Sequence, residues 1–152
     1  MQAATAPPRH DQATRLLHQR GATATPARVR VLQLLLAADA AMSHQSLQQA
    51  AAAGGHPFDK VTLYRVLDWL AGQGLVHSVA GHDRVRRFSL MNAHHAHAHF
   101  ECGVCGRLFC LRGSLASASP ELPPGFVSER VDITVHGRCA ECAAAPSPVP
   151  GE

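Results

Sequence analysis

The sequence predicts an α+β protein in two parts: a helical N-terminal domain closed by a β-hairpin, and a small C-terminal domain built around zinc. Three observations carry this. Apolar residues recur at helical spacing as far as Gly74. Two short β-prone runs then flank Gly81-His82-Asp83, the pattern of a hairpin. Beyond them stand two CxxC pairs, Cys102/Cys105 and Cys139/Cys142, separated by residues 106–138.

Residues 1–9 read as a disordered arm, because Pro7-Pro8 blocks a helix. A first helix is expected over residues 10–20, stopped by Gly21. Thr25-Pro26 opens a second: threonine caps the free N–H groups and proline suits the first helical position. Val29, Leu32, Leu35 and Leu36 form its apolar side, and it should end near Asp39. Ser43 caps a third helix that stops at Gly54-Gly55. Asp59 opens the fourth, with Leu63, Val66, Leu67 and Leu70 as its buried stripe. Thr62, Arg65 and Asp68 lie outside that stripe, with Tyr64 and Trp69 on its flanks. The hairpin LVHSVAGHDRVRRFSL carries Arg84, Arg86 and Arg87 on its second strand. Helices followed by a basic hairpin outline a winged helix-turn-helix over residues 10–90.

Residues 91–93 read as a hinge, and residues 94–143 as the second domain. Its start, HHAHAHFECGVC, holds four histidines and two cysteines. Paired CxxC turns bring four sulfurs to about 2.3 Å from one zinc ion and leave no open position, so such a site is structural. Two disulfides or unrelated buried thiols are the rival readings. His95, His97 and His99 alternate, so an extended chain puts them on one face as a metal chelate. A plain solvated loop is the rival there. FECGVCGRLFCL should contain a strand, residues 113–119 a short helix, and FVSERVDITVHG a further strand that returns the second CxxC to the first. The proline-rich tail, residues 144–152, is expected to be disordered.

Composition narrows the function. Hydrophobic content of 46% supports a packed core. There is no run of 18 apolar residues, so no membrane partner is expected. The N-terminal stretch lacks the apolar core of a signal peptide. The expected location is the cytoplasm, where reduced cysteines favour metal over disulfide. Residues 1–92 carry a net charge of +5 and residues 93–152 a net −2, so only the first part suits a polyanion.

The block VTLYRVLDWLAGQGLVH, then HxHFxCxxCG, then HGxCxxC, resembles the ferric uptake regulator (Fur) family from about residue 13 to residue 142. The resemblance implies a homodimeric, metal-sensing transcriptional repressor of double-stranded DNA with a palindromic promoter operator. It also implies the full architecture: a winged helix-turn-helix domain plus a small C-terminal α/β dimerisation domain with a structural zinc site. The DNA-reading set it implies is Arg28, Lys60, Thr62, Tyr64, Arg65 and Arg84. Tyr64 shielding its own helix is the other reading. The structural zinc ligands fall on Cys102, Cys105, Cys139 and Cys142. The regulatory ligands fall on His77, His97, His99 and Cys110, with His95 as a substitute.

Two departures bear on the metal. The hairpin ends in Phe88-Ser89, where zinc-responsive members often carry cysteine, and Cys110 stands where a glutamate is usual. The sulfur of the regulatory site is therefore expected at Cys110; a small buried hydrophobe is the alternative role. The family's second, surface site is not expected, because its positions are Ala96 and Ala98. Thiolate with imidazole favours Zn2+ over Fe2+, and so a zinc-responsive regulator over an iron- or peroxide-responsive one, unless Glu101 or Asp83 enters the shell. A catalytic metal site would need a general base, and no HExxH motif is present, so no enzyme is expected. A zinc-binding interaction module would not need the TLYR helix.

Overall fold

The computed structural model describes residues 8–91, 98–111, 121–129 and 131–145. The chain divides into two compact units, Met1–Met91 and Asn92–Glu152.

The first unit opens with α1 (Arg9–His18), which buries Ala13 and Leu17 and runs through a turn to Gly21. This helix begins inside the expected arm, at Arg9, because Pro8 occupies the N-cap, where a missing N–H costs nothing. The next three helices start at the expected caps. In α2 (Pro26–Ala37) the Thr25 hydroxyl accepts from Arg28 N, in α3 (His44–Ala53) Ser43 accepts from Ser46 N, and in α4 (Lys60–Gly72) Asp59 accepts from Thr62 N. The α4 stripe Leu63, Val66, Leu67 and Leu70 is buried throughout. In α2, Val31 is buried and Leu36 only half so, because contacts reach this helix from more than one side.

The hairpin forms from β2 (Val76–Ala80) and β3 (Arg86–Leu90), with Ser78 opposite Phe88. A two-residue strand, β1 (Met42–Ser43), pairs with the other edge of β3, giving a three-stranded antiparallel sheet in the order β1-β3-β2. Arg84 lies in the connecting turn at φ 60°, not on the second strand as its sequence position implied. Asp83 organises that turn: its carboxylate accepts from Val85 N at 3.0 Å and is gripped by the Arg87 guanidinium at 2.7 and 2.9 Å. Arg87 thereby holds the Asp83 carboxyl well below the usual carboxylate range.

Phe88 is the sheet's main contribution to the core; it is fully buried together with Leu17, Leu32, Leu47, Leu63, Leu67 and Leu70. Phe88→Ala should cost about 3–5 kcal/mol of stability through lost burial and a residual cavity. Urea unfolding of the protein checks this; a loss under about 1 kcal/mol would show that the site collapses around the deletion.

In the second unit, β4 (Ala98–Cys102) pairs antiparallel with β5 (Leu108–Cys110) and parallel with β6 (Ile133–Gly137), in the order β5-β4-β6. The first CxxC is thus the turn of a β4–β5 hairpin. The expected strand FVSERVDITVHG is confined to its second part, Ile133–Gly137, because only that part finds a partner in β4. Gly137 lies against the Phe100 ring, which an added Cβ would meet at 3.1–3.2 Å, so a side chain there would require the ring to give by a few tenths of an ångström. A short helix, α5 (Ala140–Ala144), carries the second CxxC and extends to the start of the expected tail. The helix expected over residues 113–119 lies outside the described residues.

Candidate metal centres and nucleic-acid interface

Parallel pairing of β6 with β4 sets Gly137 opposite Cys102, so the chain leaves the sheet beside the first CxxC. All four sulfurs, of Cys102, Cys105, Cys139 and Cys142, lie within 4.8 Å of one another, and every cysteine is a free thiol. Cys105 Sγ and Cys139 Sγ are 3.8 Å apart. A tetrahedron with zinc–sulfur arms of about 2.3 Å has edges of about 3.8 Å. The donor set therefore fits Zn2+ and leaves no open position.

The backbone also prepares the thiolates. Hydrogen bonds from the backbone N–H groups of Cys105 and Cys139 pull the Cys102 thiol down to about 6. Cys142 moves the other way, pushed up to about 12 by hydrogen bonding to Cys139 and by burial. A divalent ion held by these four sulfurs would remove that opposition, since each sulfur would then face the metal charge.

Two residues not singled out by the motif complete this centre. Arg107 Nε donates to Cys105 Sγ and its Nη2 donates to Cys139 Sγ, each at 3.4 Å. Glu141 holds the other side of the guanidinium, with Nη1–Oε1 at 3.3 Å. A tetrathiolate zinc shell carries a net negative charge, and Arg107 offsets part of it. The signal was a basic residue two positions after Cys105, which means little without the fold.

On the same sheet, His99 of β4 faces Cys110 of β5 as a direct cross-strand pair. Such pairs keep their Cβ atoms about 4.5–5.5 Å apart on one face. His99 is buried and Cys110 half-buried. Glu101 shares the His99 face of β4, is buried, and pairs with His136 Nδ1 at 3.4 Å. In the first unit, His77 lies on β2 with its Nε2 3.2 Å from the Ser89 hydroxyl. His95 and His97 lie outside the described residues. Asp83, considered as a rival ligand, is committed to Arg87.

The residues expected to read DNA divide by surroundings. Lys60, Tyr64 and Arg65 are exposed along the first turns of α4, and Arg84 is exposed at the hairpin tip. Thr62 serves the helix cap, its hydroxyl donating to Asp59 Oδ1 at 3.2 Å. Arg28 stacks over Trp69 at 3.6 Å from the ring centroid and donates to Thr23 O at 3.1 Å, so it braces α2 against α4. One contact was not legible in the motif: the ring of His44, first residue of α3, stacks on Tyr64.

The model of the Ferric uptake regulator family matches residues 19–116. The chain belongs to that family. The zinc uptake regulation protein of Escherichia coli strain K12 is 31% identical over 140 residues, covering 86% of this chain and 79% of its own. A zinc uptake regulator solved with zinc and DNA is 28% identical with a TM-score of 0.61, over 88% of this chain and 92% of that one. The ferric uptake regulator of Pseudomonas aeruginosa, solved with manganese, has the same fold at 22% identity and a TM-score of 0.61, over 84% of this chain and 98% of that one. Fur-family membership accounts for the pairing of a winged helix with an α/β domain, and makes this chain a transcription regulator, not an enzyme. Among the described residues of this Fur-family chain, no helix is long and apolar enough to cross a membrane.

Proposed function

We propose that this chain is a zinc-responsive repressor that acts in the cytoplasm as a homodimer on a palindromic promoter operator and controls zinc-uptake genes. The observation that carries the zinc reading is the His99–Cys110 pair, an imidazole and a sulfur presented together on one sheet face. Such a donor pair favours zinc over the oxygen-rich shells that suit iron or manganese. The similarity to a zinc uptake regulation protein supports it independently.

In this reading the regulatory shell draws on His77, His97, His99 and Cys110, with His95 as a substitute. Zinc would tie the hairpin of the reading unit to the dimerisation unit. The bound arrangement would then dominate the population, with the two α4 helices held at a spacing that fits successive major grooves. Tyr64 would contact bases or phosphates. Arg65 would make two hydrogen bonds to a guanine edge, while Lys60 and Arg84 would meet the backbone.

The deciding experiment measures binding to promoter DNA by protein with its structural zinc in place, titrated with buffered free zinc and separately with iron(II). Tight binding switched on by zinc, with a second zinc per chain, is expected. Activation by iron(II) alone would overturn the zinc assignment. Arg65→Ala should weaken operator binding about 5–150-fold, the equivalent of about 1–3 kcal/mol for one bidentate base contact, without changing zinc content. Unchanged affinity in a gel-shift assay would remove Arg65 from the reading set.

A further inference from the structure

We infer that His44 is a positioning residue for operator recognition, holding the Tyr64 ring in its reading orientation. The inference rests on the DNA-binding role of α4 proposed above. It starts from a chain of three rings. Phe88, on β3, is fully buried in the core. The His44 ring meets it edge-on, with centroids 4.9 Å apart and planes at 83°. On its other side His44 stacks on Tyr64, with centroids 3.8 Å apart and planes at 24°. Tyr64 itself remains 41% exposed. A rigid core residue thus fixes an imidazole, and the imidazole covers part of a tyrosine whose remainder faces solvent.

Three elements converge to make this possible. Ser43 caps α3, so the backbone enters the helix at His44 in one orientation. The β1–β3 pairing sets Met42 opposite Phe88, which places the start of α3 over the Phe88 side chain. Tyr64 comes one turn after Lys60 on α4. Ser43, His44, Lys60, Tyr64 and Arg86 line an open cleft of about 550 Å³. Burial lowers the His44 pKa, Arg86 lowers it further, and only Asp68 opposes them. These effects favour the neutral imidazole, which stacks on Tyr64 as an aromatic ring.

Ordering a surface side chain on binding costs about 0.5–1.5 kcal/mol. A ring already held by His44 avoids that cost, and the gain falls on contacts made by Tyr64. Removing His44 should thus weaken specific binding about two- to twelve-fold. The salt dependence should not change, because His44 neutralises no phosphate.

The test uses zinc-loaded full-length protein and a duplex that the wild type selects from a random library, with a scrambled duplex as control. Four proteins join the wild type: His44→Ala, His44→Phe, Tyr64→Ala and the His44→Ala/Tyr64→Ala double variant. Expected for His44→Ala is a two- to twelve-fold loss on the selected duplex, an unchanged salt slope and little change on the scrambled one. His44→Phe, which keeps a stacking ring, should restore the affinity. In the Tyr64→Ala background the His44 substitution should cost nothing further. A His44→Ala loss that persists without Tyr64, or that His44→Phe fails to restore while melting as the wild type does, would overturn the inference. So would a His44→Ala protein that binds as tightly as the wild type. A wild-type protein that selects no duplex at saturating zinc sinks the DNA-binding reading itself, and the positioning role with it.

Discussion

Cys102→Ser should leave the second unit without a folded state: its structural zinc should be lost, its β4–β5–β6 sheet should melt, and dimerisation should go with it. The reason lies in how little else holds this unit together. Among its described residues, the buried apolar side chains are Ala98, Cys102, Leu108 and Cys139, and two of those are sulfur donors. Units of this size seldom fold on a hydrophobic core alone and commonly need a metal or disulfides. No disulfide is formed here. Structural zinc contributes about 10–16 kcal/mol of apparent binding free energy in small peptides, as much as the whole stability of a typical domain, about 5–15 kcal/mol. The first unit, with its own core around Leu32, Leu67 and Phe88, should still unfold cooperatively in the variant. Metal per chain, sedimentation and far-UV circular dichroism would check this together. A Cys102→Ser protein that keeps a full zinc complement and a dimeric, folded second unit would show that the remaining three sulfurs suffice.

The second large effect concerns the sensing site. His99→Ala and Cys110→Ala should each abolish the second zinc while leaving the structural zinc bound. Operator affinity at saturating free zinc should fall about 5–150-fold, the range of a coupling free energy of about 1–3 kcal/mol. Wild type and variants should bind alike when only the structural zinc is present, because the coupling exists only with the regulatory ion. The Cys110 variant discriminates most sharply. Alanine keeps most of the packing of this small, half-buried residue and removes the sulfur. A Cys110→Ala protein with a normal zinc response would make Cys110 a packing residue, and the sensing shell would need its fourth donor elsewhere. Glu101, buried on the His99 face of β4, would then be the residue to change next.

The parts of this protein set by local chemistry were open to reading from the sequence. Thr25, Ser43 and Asp59 cap the helices they were expected to cap, because a cap needs only a short polar side chain and the first turn after it. The buried α4 stripe follows from the 3.6-residue period. The two sulfur pairs that meet in one cluster follow from the spacing a CxxC turn imposes on two sulfurs. The ordered motifs, taken together, were sufficient to point to the Fur family.

Pairings between distant segments required the folded chain. β1 is two residues long and exists only because β3 offers it a free edge. The strand expected from Phe126 onward begins at Ile133, since alternation marks a segment able to pair but not where a partner stops. The Arg107 guanidinium reaches the thiolates because α5 brings Glu141 beside it, across more than thirty residues of sequence. His44 and Tyr64 lie on different helices, and neither local propensity nor periodicity relates them. The set of elements and the donors each carries can be read from the chain alone, because caps, periods and CxxC turns act within a few residues. Which of those groups meet is settled by folding, because register, edge pairing and ring stacking are fixed by packing between segments far apart in the chain.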